Sequence, residues 1–283
     1  MKRREDASGS RFYAHPETGV ELPSVTTVLG VLPKPWMGPW AAKVERELCV
    51  STAHNVYEAM AYESMDDEYA RLPPALLDEF KRQLAEALPH KKAHTTIAKD
   101  AANIGTESHA LIEWRIRGQL GLDRGEEPVV SEEARLSVAG FEDWKQETKF
   151  TPASTEHRLY SDELQAAGTA DTICCSMEVC AAHPLGCGAE DVHILAPKKW
   201  KIAALGDWKR SKAIYPEHRV QVAVYRHMAI ERGLLDENSW AVILRLPRLP
   251  KDKFEAVMLP PSECKPLVEI FKAARVIWAW GRK

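Results

Sequence analysis

The chain has 283 residues, 45% hydrophobic and 28% charged, with a formal net charge of −3. That length and apolar fraction can bury a sizeable core, either as one large domain or as a core with an added lobe. No apolar run approaches the roughly 18 residues of a membrane span. The small negative charge argues against a protein that coats polyanions over its whole surface, though not against a nucleic-acid enzyme, where the location of charge matters more than its sum.

The first residues, Met1-Lys2-Arg3-Arg4-Glu5-Asp6, are charged and no apolar stretch follows them, so they do not read as a secretory signal. Residues 1–22 are expected to form a flexible, solvated tail and 23–283 a single domain. Leu22 to Leu29 hold a β-branched stretch with Ser24 as a possible cap. After Gly38-Pro39 the pattern turns helical and stays so to about residue 118, with breaks near Pro73-Pro74 and Pro89. This predicts a helical lobe over about 36–100 and a core over about 101–283. A helix over 100–118 carries His109, Ile112, Glu113 and Ile116 along one side, and a second spans 131–148.

The character then changes. Thr155–Leu159, Gly168–Cys175, Lys201–Lys209, Trp240–Leu246 and Phe254–Leu259 read as strands. A helix from about Pro216 to Arg232 lies between the third and fourth, with Pro216 suited to its first turn. A last helix runs from about Ser262 to Trp280. The order α-β-β-β-α-β-β-α predicts an α/β (α+β) core in which a mixed sheet is flanked by helices.

Four of the six cysteines crowd between Cys174 and Cys187. This is not the spread framework of a small disulfide-rich secreted domain, and it favours a reducing cytoplasm. Cys175, Cys180, His183 and Cys187 loosely resemble a Zn²⁺ site. They lack a paired C-x-x-C, so a hairpin carrying free thiols is the favoured reading and a zinc-stabilised interaction module the minor one.

The residues with chemistry to offer fall in a definite order. His109 lies in Gly105-Thr106-Glu107-Ser108-His109, Asp171 ends Gly168-Thr169-Ala170-Asp171, and Asp207 and Lys209 belong to Gly206-Asp207-Trp208-Lys209. In a strand Asp207 and Lys209 share a face and Trp208 points the other way. If the strands bearing Asp171 and Asp207 are neighbours, both carboxylates meet the ammonium. Two close carboxylates raise each other's pKa unless a cation relieves them, and hard oxygen ligands suit Mg²⁺ or Mn²⁺. Gln221 and Tyr225 are four apart on the following helix, beside an apolar stripe of Val220, Val224 and Met228. From Lys198 to Arg232, Lys198, Lys199, Lys201, Lys209, Arg210, Lys212, Arg219, Arg226 and Arg232 face only Asp207, Glu217 and Glu231. This basic run brackets the motif and could serve phosphate.

Taken together, Pro23-Ser24-Val25-Thr26-Thr27-Val28-Leu29, the His109 helix segment, Ala167-Gly168-Thr169-Ala170-Asp171, Asp207-Trp208-Lys209 and Gln221-Val-Ala-Val-Tyr225 resemble the RecB-like branch of the PD-(D/E)XK nuclease superfamily. That branch includes phage enzymes and the mitochondrial genome maintenance exonuclease. The resemblance implies a restriction-endonuclease-like core and a Mg²⁺- or Mn²⁺-dependent DNA exonuclease of recombination, repair or DNA processing. His109, Asp171, Asp207 and the Trp208 carbonyl would be metal ligands, and Asp171, Asp207 and Lys209 the catalytic residues. Gln221 and Tyr225 would position the site or contact DNA. Glu113 and Glu156 sit where related proteins often carry acidic groups. The implied partners are DNA, single-stranded or with free ends, and a recombination or single-strand-binding protein; no membrane is implied. Trp36 and Trp40 could line an arch for a single strand, although a core role for both is favoured.

Some members of the branch hold an iron–sulfur cluster through one early cysteine and three near the C-terminus. Here Cys49 could be the early one, but only Cys264 follows Tyr225, so no such cluster is expected. An endonuclease of the same fold and a DNA-binding protein that does not cleave are the alternatives.

Overall fold

The computed structural model describes residues 1–6, 9–35, 37–63, 74–88, 92–180 and 199–282. In chain order the elements are β1 (Arg3–Glu5), β2 (Arg11–Ala14), β3 (Glu21–Pro23), α1 (Val25–Leu29), α2 (Met37–Glu63), α3 (Pro74–Ala87), α4 (Ala93–Gln119) and α5 (Glu132–Thr148). They continue with β4 (Thr151–Ser161), β5 (Ala166–Cys180), β6 (Lys199–Lys209), α6 (Pro216–Glu231), β7 (Trp240–Arg245), β8 (Glu255–Leu259) and α7 (Pro261–Trp280). The chain divides into two units. One joins Met1–Leu32 to Ile104–Lys283 and the other is Pro33–Asn103.

The first unit is built on a five-stranded sheet of order β4-β5-β6-β7-β8. All its pairings are antiparallel except β6 with β7. A parallel pair needs a crossover rather than a hairpin, and α6 supplies it, opening on Pro216 at its first turn. Helices cover both faces. Val25, Val220, Val224 and Phe271 from α1, α6 and α7 pack on Leu159, Ala170, Leu205 and Ile243. Leu111, Ile112, Phe141 and Trp144 from α4 and α5 pack on Cys174, Trp208, Val242 and Leu244. The mixed α/β fold read from the sequence is the one observed.

Strand β6 shows why the pattern works. Leu205 belongs to the core beneath α6, while Ala204 and Trp208 belong to the one beneath α5, so the period of two places Asp207 and Lys209 on the α6 side. The Trp208 ring is 2% exposed. It meets Phe141, Trp144 and Phe150 at centroid separations of 5.2, 5.5 and 6.1 Å, within the range of favourable edge-to-face contacts.

The expected N-terminal tail is instead a three-stranded antiparallel sheet, β1-β2-β3. Its charges misled the sequence reading, because they lie on its outer side. Arg4 grips Glu21 through Nε and Nη2 at 2.7 and 2.9 Å. The apolar residues turn inward, and Tyr13, paired with Leu22, packs with it against Ala167 of β5. Ser24 then forms a parallel bridge to Ala167 and caps α1 by accepting from the Thr27 N–H at 3.0 Å. The β-branched stretch after Ser24 is thus a short helix, fixed by its cap.

The second unit contains α2, α3 and the start of α4. Glu45 accepts from the backbone N–H of His94 at 3.1 Å and lies 2.7 Å from its Nδ1, and Trp40 meets the His94 ring edge-on. Pro74 opens α3 as the sequence suggested. Trp36 and Pro89 lie outside the described residues, so the arch reading is left with Trp40 alone.

Truncating Trp208 to Ala should destabilise the protein by roughly 3–5 kcal/mol, the cost of emptying a large aromatic site. Chemical denaturation of the two proteins measures this, and a loss below about 1 kcal/mol would contradict the packing described.

A candidate metal centre

The site lies where β5 and β6 part. Their regular pairing reaches Thr172–Gly206, and the next residues of the two strands are Asp171 and Asp207. Instead of a backbone partner, the Trp208 N–H finds the Asp171 Oδ2 at 2.5 Å. The Trp208 carbonyl faces His109 Nε2 at 3.1 Å, and His109 Nδ1 lies 3.3 Å from Asp171 Oδ1. Helix α4 brings His109 here because Ile112 and Ile116, on the same side as His109, and Leu111 are buried in the core.

Glu156 completes the group. It lies on β4 between the pairs Thr155–Thr172 and His157–Ala170, which sets it opposite Asp171. His109, Glu156 and Asp171 each offer a ligand atom, all within 4.8 Å of one another, and together could hold a metal ion. Glu156 also has a φ of +48°, the left-handed region that non-glycine residues enter at a cost of about 1–2 kcal/mol. Such a kink in mid-strand marks a position where side-chain placement outweighs backbone ease.

Asp207 lies in an adjoining group. It is 1% exposed. Its Oδ2 is 2.6 Å from Lys209 Nζ, a close ion pair. Its Oδ1 accepts from Gln221 Nε2 at 3.3 Å, and the same Gln221 nitrogen reaches the Tyr225 hydroxyl at 3.4 Å. Gln221 and Tyr225 are both buried, so they orient Asp207 from beneath. The glycine of the Asp171 motif makes room for Tyr225. A Cβ on Gly168 would lie 2.4 Å from Tyr225 Cε1 and 2.8 Å from its hydroxyl oxygen.

Burial and mutual contact shift the ionisation of these groups. Burial pushes the Glu156 carboxyl up to about 7, with Asp171 adding to the rise. Burial likewise raises Asp207 to about 6, against the pull of Lys209. For the His109–Asp171 pair, burial opposes both charges, yet their mutual attraction prevails; His109 rises to about 9 and Asp171 falls below the ordinary carboxylate range. Burial and the nearby Asp207 charge raise Tyr225, which keeps its hydroxyl neutral around pH 7.

Of the residues singled out from the sequence, His109, Asp171 and the Trp208 carbonyl meet directly, and Asp207, Lys209, Gln221 and Tyr225 form the adjoining network. Glu156 was left out of the expected ligand set, and the hairpin register would have found it. The turn at residues 162–165, with Ser161 pairing Ala166, sets Glu156 opposite Asp171. Glu113 acts on Glu156 through space but is not one of the three grouped ligands. Two residues of the basic run are turned to the protein itself. Arg226 is buried and donates to the Ser239 and Glu237 carbonyls at 2.5 Å each, and Arg232 pairs with Asp162 and Glu231. Of the suggested zinc set, His183, Cys187 and the side chains of Cys175 and Cys180 lie outside the described residues.

Metal binding should compete with protons. His109 must lose its proton to coordinate, as must Glu156, so affinity for Mn²⁺ should rise from pH 6 to pH 9 with proton release on binding. Calorimetry in buffers of different ionisation enthalpy checks this, and a pH-independent affinity would contradict it. Glu156→Gln should weaken Mn²⁺ binding by at least about tenfold in the same experiment, and unchanged affinity would remove Glu156 from the centre.

No protein-family model matches this chain, and no curated protein matches it. The chemistry of the site therefore rests on its own residues.

Proposed function

We propose that this protein is a Mg²⁺- or Mn²⁺-dependent deoxyribonuclease that hydrolyses phosphodiester bonds at DNA ends, in recombination, repair or DNA processing. The observation that carries the hydrolytic reading is the set His109, Glu156 and Asp171 around one point, with the Asp207–Lys209 pair on the adjacent strand. DNA as substrate and the preference for ends rest on the resemblance to RecB-like nucleases.

The donor set fits a hard divalent cation. Two or three carboxylates, one imidazole and a backbone carbonyl supply mostly oxygen ligands, as Mg²⁺ and Mn²⁺ prefer. Such an ion, when bound, polarises a phosphoryl oxygen and lowers the pKa of a coordinated water. The protein's own groups do the rest. Asp171 is held by the Trp208 N–H and keeps its charge. Gln221 orients Asp207, so that its second oxygen faces Lys209. The Lys209 side chain is 18% exposed, enough to meet an incoming ligand. There its ammonium can orient a water for attack or meet the negative charge that develops at phosphorus. No helix among the described residues is long and apolar enough to cross a membrane.

The test is a digestion panel of end-labelled linear single-stranded DNA, linear duplex and covalently closed circles, with Mg²⁺ or Mn²⁺ against EDTA. The proposal expects metal-dependent loss of the linear substrates and survival of the circles. Asp207→Asn should abolish cleavage, and Lys209→Ala should slow it on the order of 10²–10³-fold, with folding intact by circular dichroism. Cleavage of circles would make it an endonuclease. Binding without cleavage under all conditions would make it a DNA-binding protein, and full activity in either variant would end the assignment.

A further inference from the structure

On the α5 side of β6, the Arg210 guanidinium lies against the Arg248 backbone, and neither arginine side chain pairs with a carboxylate among the described residues. Arg210 follows Lys209 directly. Its Nε donates to Ser137 Oγ at 3.0 Å and its Nη2 to the Arg248 carbonyl at 3.5 Å, both neutral acceptors. Arg248 lies in the loop joining β7 to β8, and its Nε is buried with no hydrogen-bond partner. Burial and then the neighbouring Arg248 charge hold Arg210 below its ordinary pKa, so the two cations repel each other. Glu107 and Glu133 act on Arg210 only through space. The Glu107 carboxylate is taken up by Ser131, whose N–H and hydroxyl reach it at 2.9 and 2.5 Å.

The arrangement is held from several directions. The Ser137 hydroxyl lies 2.7 Å from the Pro247 carbonyl, tying the loop to α5. Pro247 packs so closely on Gly140 that a Cβ there would lie 2.4 Å from Pro247 Cδ. Asp252 Oδ2 accepts from the backbone N–H groups of Arg248 and Leu249 at 3.2 and 3.1 Å. A buried guanidinium nitrogen without an acceptor costs free energy, as does a second cation beside it. An oxyanion seated against the outer guanidinium nitrogens relieves the repulsion between the two cations, and arginine's planar fork suits phosphate in particular.

We propose that Arg210 and Arg248 form a clamp for a phosphate group of a nucleic-acid backbone, holding the strand beside the metal centre. The identity of the strand rests on the nuclease reading above, whereas the clamp's affinity for phosphate does not. Arg210 and Arg248 then set how the strand lies relative to Lys209, and Arg248 serves binding rather than chemistry.

The test measures binding of a fluorescent single-stranded oligonucleotide in EDTA, over a series of salt concentrations, for wild type, Arg248→Ala, Arg248→Lys and the exposed loop control Lys251→Ala. Thermal melts confirm that each protein is folded. The clamp predicts that Arg248→Ala weakens binding on the order of tenfold and lowers the salt slope by about one. Arg248→Lys should recover part of the affinity, and Lys251→Ala should stay near wild type. Wild-type affinity and slope in Arg248→Ala would overturn the clamp while leaving the nuclease reading in place. If wild type binds no oligonucleotide, the nuclease reading fails, and inorganic phosphate becomes the probe. A shift of the Arg248 Nε–H signal in protein labelled with ¹⁵N-arginine would then sustain the clamp, and no shift would overturn it.

Discussion

One peptide unit holds the candidate site together. The Trp208 side chain is locked among Phe141, Trp144 and Phe150, so its backbone cannot drift. The N–H of that residue binds the Asp171 carboxylate and its C=O faces His109. A buried aromatic ring on one face of the sheet thereby sets the separation of three groups at its parted edge. Asp207 and Lys209, one residue to either side, are aimed at the opposite face by the same strand geometry. Packing and polar chemistry meet at Trp208, and neither is arranged independently of the other.

The rest of the first unit supports that point. Burial raises the cost of each charge, which is why the site holds its carboxylates in pairs with His109 and Lys209 and leaves Glu156 and Asp207 above their ordinary pKa values. Partly compensated clusters of this kind are costly to a fold that needs no ion, and the mid-strand φ of Glu156 adds to that cost. Gly168 yields space to Tyr225, Tyr225 supports Gln221, and Gln221 steadies Asp207. The sequence segments that looked like separate motifs are thus one hydrogen-bonded assembly spanning β5, β6 and α6.

The N-terminal residues and the basic run show where reading by charge goes astray. Lys2 to Asp6 look like a solvated tail, yet Tyr13 and Leu22 pack against Ala167 and carry those charges into a folded sheet. Arg226 and Arg232 look like phosphate ligands, yet they satisfy backbone carbonyls and carboxylates of the protein itself. Charge density along a chain does not say which way a side chain points. For Arg210 and Arg248, 38 positions apart, only the fold brings like charges together.

The elements of the core were legible in the residue pattern. Periods of two and 3.6, Pro216 at a helix start and the turn residues between runs located the five strands and the helices around them, because these signals are local. The sequence also picked out His109, Asp171, Asp207, Lys209, Gln221 and Tyr225, through the order of their chemistry along the chain and the resemblance of their segments to RecB-like nuclease motifs. Which of them meet was settled by the folded arrangement. The parting of β5 and β6 after Thr172–Gly206 lets Asp171 reach the Trp208 N–H. The hairpin register brings in Glu156, and Asp207 falls into a neighbouring network. Those outcomes depend on strand register and on the direction of each side chain, which non-local contacts set.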